Sequence, residues 1–283
     1  MMDDARPPGG AGSPGPPIGR SLAAKLLPVV LSLTAGSVDV ISVLGLGGLF
    51  TAHITGNLAI LAAHIVAGDQ APLALMISVP VFIVALAVTR LLAAGLERMH
   101  VALLRPLLLL QFLLLAGFLA LCVGGGSRLD LNAAKAIVAG MLGVSAMAVQ
   151  NALVQISLKG SPTTAAMTTN ITRFVMDLGE VLLGRSPNDG VKAAARARRT
   201  GLVIASFAAG CGLGAGCQAV AGLWSLALPG GLALVALAMA VAAKLDGAQP
   251  QTLIPRLVAK TSSQRPGSHR ASASEKTSNA GRA

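Results

Sequence analysis

The stretch Leu103–Gly124 reads LLRPLLLLQFLLLAGFLALCVG. From Leu107 onward it is a near-continuous apolar run, without the polar–apolar alternation of a half-buried strand. Lipid offers the backbone no hydrogen-bond partners, so such a run crosses a bilayer as an α-helix that satisfies its own polar groups. About 20 residues suffice for a hydrocarbon core about 30 Å thick. Five more blocks meet that requirement, at about 25–46, 72–96, 133–157, 200–222 and 226–244. The expected fold is all-α, a polytopic transmembrane helix bundle with six spans.

Composition points the same way. Of the 283 residues, 54% are hydrophobic and 12% charged, the latter about half the share of a soluble domain. Six Phe, one Trp and no Tyr do not supply the aromatic girdles of a membrane β-barrel. The net charge of +11 gathers in the tails and between Arg185 and Arg199. With no soluble domain to present a basic face, no nucleic-acid partner is expected, and the lipid bilayer is. Cys122, Cys211 and Cys217 lie in apolar blocks without CxxC or zinc spacing, and read as small core residues. No Walker loop, Ser-His-Asp grouping or HExxH stands in a suitable setting. Neither an enzyme, nor an ATP-driven pump, nor a cofactor is expected.

Residues 1–20 are rich in Pro and Gly, and residues 247–283 are polar, basic and rich in Ser. Both read as disordered tails around a membrane domain at 21–246. Cytoplasmic loops carry the excess of Lys and Arg. With six spans and both termini cytoplasmic, the inner side holds Arg20, Lys25, Arg98, Arg105, Lys159, Arg185, Lys192, Arg196, Arg198 and Arg199. The outer side then holds only Arg128 and Lys135. A bacterial inner membrane is the expected location.

Between the blocks lie two less apolar segments, at about 50–68 and 163–184, each opening on a polar cluster. The first reads Thr51-Ala-His53-Ile-Thr55-Gly56-Asn57, the second Thr164-Ala-Ala-Met167-Thr168-Thr169-Asn170. Upstream polar residues match roughly as well, Asp39 before Thr51 and Asn151 before Thr164. Each half, at about 25–124 and 133–244, thus contains one span, a broken or re-entrant segment, and two spans. Three spans per half give the halves opposite orientation, an inverted internal repeat. Such repeats are typical of secondary transporters, whose sites lie where helices break near the midplane. Two interfacial helices that only pack are the plainer reading of the same segments.

Both motifs resemble the YoaK-like family of uncharacterised bacterial multi-span membrane proteins. The likeness is carried by Ala35-Gly36-Ser-Val-Asp39 with Phe50-Thr-Ala-His-Ile-Thr-Gly-Asn57. In the second half it is carried by Ala146-Met-Ala-Val-Gln150-Asn151-Ala152 with Thr163-Thr-Ala-Ala-Met-Thr168. It extends over about residues 25–245. Two positions depart from the pattern, Thr169 and Ala148, where the family has Gly. The family is a domain of unknown function, so the resemblance implies a multi-span inner-membrane protein and no substrate.

Asp39 stands within the first span between Val38 and Val40. A carboxylate there must be paired, protonated or wetted, so it reads as a proton or cation site, or as an acceptor that fixes the broken segment. His53 reads as a proton-exchanging residue or as a structural histidine. Thr55, Gly56, Asn57, Thr164, Thr168 and Asn170 read as polar lining or backbone caps. Asn151 and Gln155 share one face of the fourth span and, with Gln150, read as interhelical hydrogen-bond formers. Arg173 and Asp177, spaced i, i+4, read as an ion pair. Gly210, Gly212, Gly214 and Gly216 read as a close-packing face that serves internal contacts or a homo-oligomer. No metal site is expected among His53, His64 and Asp39. The function expected is a secondary transporter or permease for an unknown small solute or ion, proton- or cation-coupled. The alternative is a membrane anchor or partner-binding protein.

Overall fold

The computed structural model describes residues 22–68, 70–124, 133–158, 160–164, 166–184 and 187–242. The two tails, and Arg128, Lys159 and Arg185, lie outside the described residues. The described chain is helical: α1 Leu22–Gly45, α2 Ile54–Ala67, α3 Leu73–Arg98, α4 Leu104–Val123, α5 Ala134–Ser157, α6 Met167–Leu183, α7 Pro187–Ala221 and α8 Ala227–Ala242. A 3-10 turn, Gly222–Leu226, joins the last two.

Helices of sufficient length and apolarity to cross a membrane are α1, α3, α4, α5 and the continuous stretch Asp189–Ala242. The two blocks expected at 200–222 and 226–244 both fall in that last stretch. Gly222, at φ +54°, divides it, since a left-handed residue cannot continue an α-helix. The α2 helix has 14 residues, about 21 Å at 1.5 Å per residue, too short for a hydrocarbon core.

Side-chain contacts fix the helix directions. Gln150 of α5 reaches the Leu31 carbonyl of α1, while Gly140 packs under Leu46 and Leu49, just past the end of α1. These two helices therefore run antiparallel. They are also the most enclosed: 67% of the apolar window of α1 and 72% of that of α5 are buried, against 17% for α3. The α7 helix runs parallel to α1, with Gly210 on Leu33, Gly214 on Ser37 and Gln218 near Gly45. The α4 helix is antiparallel to α5, through Gln111 on Gln150 and Phe118 on Gly143. The α8 helix is antiparallel to α1: Ala236 and Ala240 pack with Leu27 and Leu31, and Leu226 and Ala233 with Ala35, Val38 and Ile41. Hence the chain reverses at the 3-10 turn.

The apolar core has two layers. One gathers the N-terminal ends of α1 and α4 with the C-terminal ends of α5 and α8. The other joins the opposite ends of these helices with Leu46, Leu49, Ala52 and the start of α3. The glycines expected to pack closely divide by face. Gly210 and Gly214 touch the α1 backbone, whereas a Cβ at Gly212 or Gly216 would meet nothing within 4 Å.

Candidate functional site

The α1 helix stops because Gly47 and Gly48 take φ of +65° and +87°, closed by a bond from the Gly48 N–H to the Val43 carbonyl. The chain then turns back along α1 as a non-helical stretch. Its backbone needs acceptors in an apolar interior, and Asp39 supplies them. Asp39 Oδ1 accepts from the N–H groups of Thr51 (2.8 Å) and Ala52 (2.7 Å) and from Thr51 Oγ1 (3.1 Å). Asp39 Oδ2 lies 2.6 Å from His53 Nδ1. The Asp39 side chain is 3% exposed and that of His53 26%. The imidazole stands edge-on to Phe207 of α7, with ring centroids 5.1 Å apart.

Asn57, one turn into α2, closes the stretch from the other side. Its Oδ1 accepts from the Phe50 N–H, and its Nδ2 donates to the Phe50 carbonyl, both at 2.8 Å, and to Ser78 Oγ of α3 at 3.0 Å. Gly56 lies flat against the Phe50 ring, where an added Cβ would come within 3.0 Å.

The second half repeats this construction. Residues His53 and Ala166 each precede the short helix with similar backbones, φ −97°, ψ 59° and φ −115°, ψ 69°. Asn170 Nδ2 donates to the Thr163 carbonyl seven residues upstream (2.6 Å), as Asn57 does to Phe50. Gln150 Nε2 donates to Thr164 Oγ1 (3.0 Å), so it contacts the second threonine as Asp39 contacts Thr51. Gln150 also donates to the Leu31 carbonyl at 3.0 Å and accepts from Gln111 Nε2 at 2.7 Å. It ties α1, α4, α5 and the second broken segment together.

The expected site residues separate accordingly. Asp39, His53, Gly56 and Asn57 meet in one cluster, and Gln150, Thr164 and Asn170 belong to its counterpart. Thr55 and Thr168 do not take part: both are exposed on the outer faces of α2 and α6. The matching role falls instead to Thr51, fully buried. Its spacing after Asp39 was the available signal. Asn151 is not the residue that holds Thr164, and among the described residues neither Asn151 nor Gln155 bonds across helices. Both line a cavity of about 380 Å³ beside Phe82, Leu86, Ser161 and Ala166. Arg173 is exposed, and Asp177 pairs with Arg196 of α7 at 2.7 Å rather than within its own helix. Arg196 also reaches Glu180 at 2.7 Å, and its bond to Asp177 pushes the guanidinium further toward the charged form. The cysteines are free thiols, and no cluster able to hold a metal ion occurs among the described residues.

Neither the curated proteins nor the solved structures contain a significant match to this sequence. A family model described as "Protein of unknown function (DUF1275)" matches residues 27–239, and this chain, a helical protein with several membrane-length apolar helices, belongs to that family.

Proposed function

We propose that the protein is a secondary transporter or permease for a small solute, driven by a proton or another cation, in a bacterial inner membrane. The observation that carries the reading is the Asp39–His53 pair. A carboxylate and an imidazole share a hydrogen bond inside an apolar bundle, at the point where the chain leaves helical geometry. Intramembrane ionisable pairs of this kind mark proton and ion pathways. His53 is the more exposed member and exchanges the proton; Asp39 holds both the imidazole and the backbone of the broken stretch. A change of proton occupancy therefore acts directly on Thr51 and Ala52.

The helix directions support six spans. In the sequence α1, α3, α4, α5, α7, α8 each helix reverses the one before, while α2 and α6 turn back without crossing. The antiparallel α1 and α5, each followed by the same Asn-to-carbonyl clasp, support two halves of inverted orientation. Lys25, Arg98, Arg105, Lys192, Arg196, Arg198 and Arg199 all fall at helix ends or segments on one side, with Lys135 opposite. By the excess of Lys and Arg, that side is cytoplasmic.

The test is counterflow or proton-driven uptake in proteoliposomes, screened over small solutes. Asp39→Asn and His53→Gln are expected to uncouple solute movement from the pH gradient. Any uptake or efflux activity that keeps its full proton dependence in Asp39→Asn removes the coupling role.

A further inference from the structure

We infer that a solute pocket lies between α3 and the C-terminal part of α5, beside the second broken segment, for a small uncharged solute with an apolar body and a hydrogen-bonding edge. What the pocket serves rests on the transporter reading above. Its existence follows from the difference between the two halves.

In the first half, the residue before the short helix is His53, whose ring packs on Phe207 and bonds Asp39. In the second half the same position is Ala166. A methyl group stands where the first half has an imidazole, and the space beside it is a cavity of about 380 Å³. Small-molecule pockets occupy about 300–1,000 Å³. Phe82 and Leu86 of α3 form its apolar wall, and Asn151 and Gln155, one turn apart on α5, form its polar wall.

Asn151 is the informative residue. It is 8% exposed and borders the cavity, yet it makes no hydrogen bond to any described residue. Its amide opens on the cavity rather than being sealed in the interior, so the edge of a bound molecule can reach it. Gln150, its neighbour, is by contrast fully engaged. The free carboxamide offers two donors and an acceptor, and the Gln155 amide and Ser161 hydroxyl add to them. The described lining is mainly apolar, with amide and hydroxyl groups as its polar edge, a surrounding that suits a neutral solute better than one that must shed the hydration of a full charge. A neutral solute bearing both a donor and an acceptor fits.

The probe is benzamide, with benzoate and toluene as matched shapes carrying a charge or no polar edge. Binding is read by saturation-transfer NMR on the full chain in lipid nanodiscs, against empty nanodiscs. Benzamide is expected to bind, benzoate and toluene at least about tenfold more weakly. Asn151→Leu and Ala166→Phe should each weaken benzamide about tenfold. Gln155→Leu, at an exposed position, should weaken it less and guards against misfolding of the buried variants. Equal binding of toluene or benzoate, no benzamide binding, or benzamide binding unmoved by all three variants would overturn the pocket. Benzamide binding that responds as expected, in a protein with no uptake of any solute, would keep the pocket and defeat the transporter. Uptake that survives Asn151→Leu and Ala166→Phe intact would do the opposite.

Discussion

Asn57 and Asn170 occupy the same place in two copies of one clasp, each amide donating to the backbone carbonyl seven residues upstream. The copies are not equally complete. Asn57 also accepts from the Phe50 N–H and donates to Ser78, whereas Asn170 Oδ1 is buried without a partner. Asn57→Ala should therefore destabilise more than Asn170→Ala. Net hydrogen bonds contribute about 0.5–1.5 kcal/mol each, so a gap of about 1–2 kcal/mol is expected between the two. Thermal denaturation in detergent, with both variants measured side by side, decides it; equal losses would contradict the asymmetry.

Asp39 has a structural task besides any proton. Removing its side chain leaves the Thr51 and Ala52 N–H groups buried without acceptors, at about 1–3 kcal/mol per orphaned group. Asp39→Asn keeps one acceptor oxygen. The expected order of melting temperature is wild type, then Asp39→Asn, then Asp39→Ala. Only if Asp39→Asn remains folded do its transport properties report on coupling, and a melting curve on each preparation establishes that.

The α7 glycines should respond by face. A Cβ on Gly214 would come 2.7 Å from the Ser37 carbonyl oxygen, and one on Gly210 would meet the Leu33 carbonyl oxygen more closely still. Overpacking of this kind costs about 1–3 kcal/mol, so Gly210→Ala and Gly214→Ala should unfold at lower temperature. Gly212→Ala and Gly216→Ala meet open space and gain helix propensity of up to about 1 kcal/mol. Loss of stability in the second pair equal to that in the first would mean the outward face is also packed, as in a homo-oligomer.

The α6 helix is held to α7 by Arg196, which bonds Asp177 and Glu180. Arg196→Ala should raise hydrogen exchange across Met167–Leu183, and high salt should do the same to the wild type. Arg173→Ala should leave the exchange unchanged. An effect confined to Arg173→Ala would restore the pairing within α6.

Topology has a direct test. Six spans with cytoplasmic termini place Gln70 outside and Ser161 inside. Single cysteines at these positions, in a chain whose three native cysteines are replaced by serine, should react with an impermeant maleimide from opposite faces. Reaction of both from the same face would exclude the inverted arrangement.

The sequence by itself determined the class and the punctuation. Long apolar runs can only be helices in lipid, and Thr51–Asn57 and Thr164–Asn170 announced two breaks because polar clusters and glycine do not continue a buried helix. The spacing of Asp39 before Thr51 was legible for the same reason, since a non-helical stretch within an apolar interior must find an acceptor. Only the tertiary structure decided which polar residues face one another. Thr55 and Thr51 are equally polar, and it is the direction of the returning chain that buries one and exposes the other. Gln150 rather than Asn151 received the second threonine because a helical step of one residue turns the side chain by about 100°. Partners on other helices, such as Phe207 for His53 and Arg196 for Asp177, depend on how α7 packs against α1 and α6. No local spacing encodes that. The Ala166 cavity is of the same kind: an alanine in a motif looks ordinary until the other half shows what its counterpart fills.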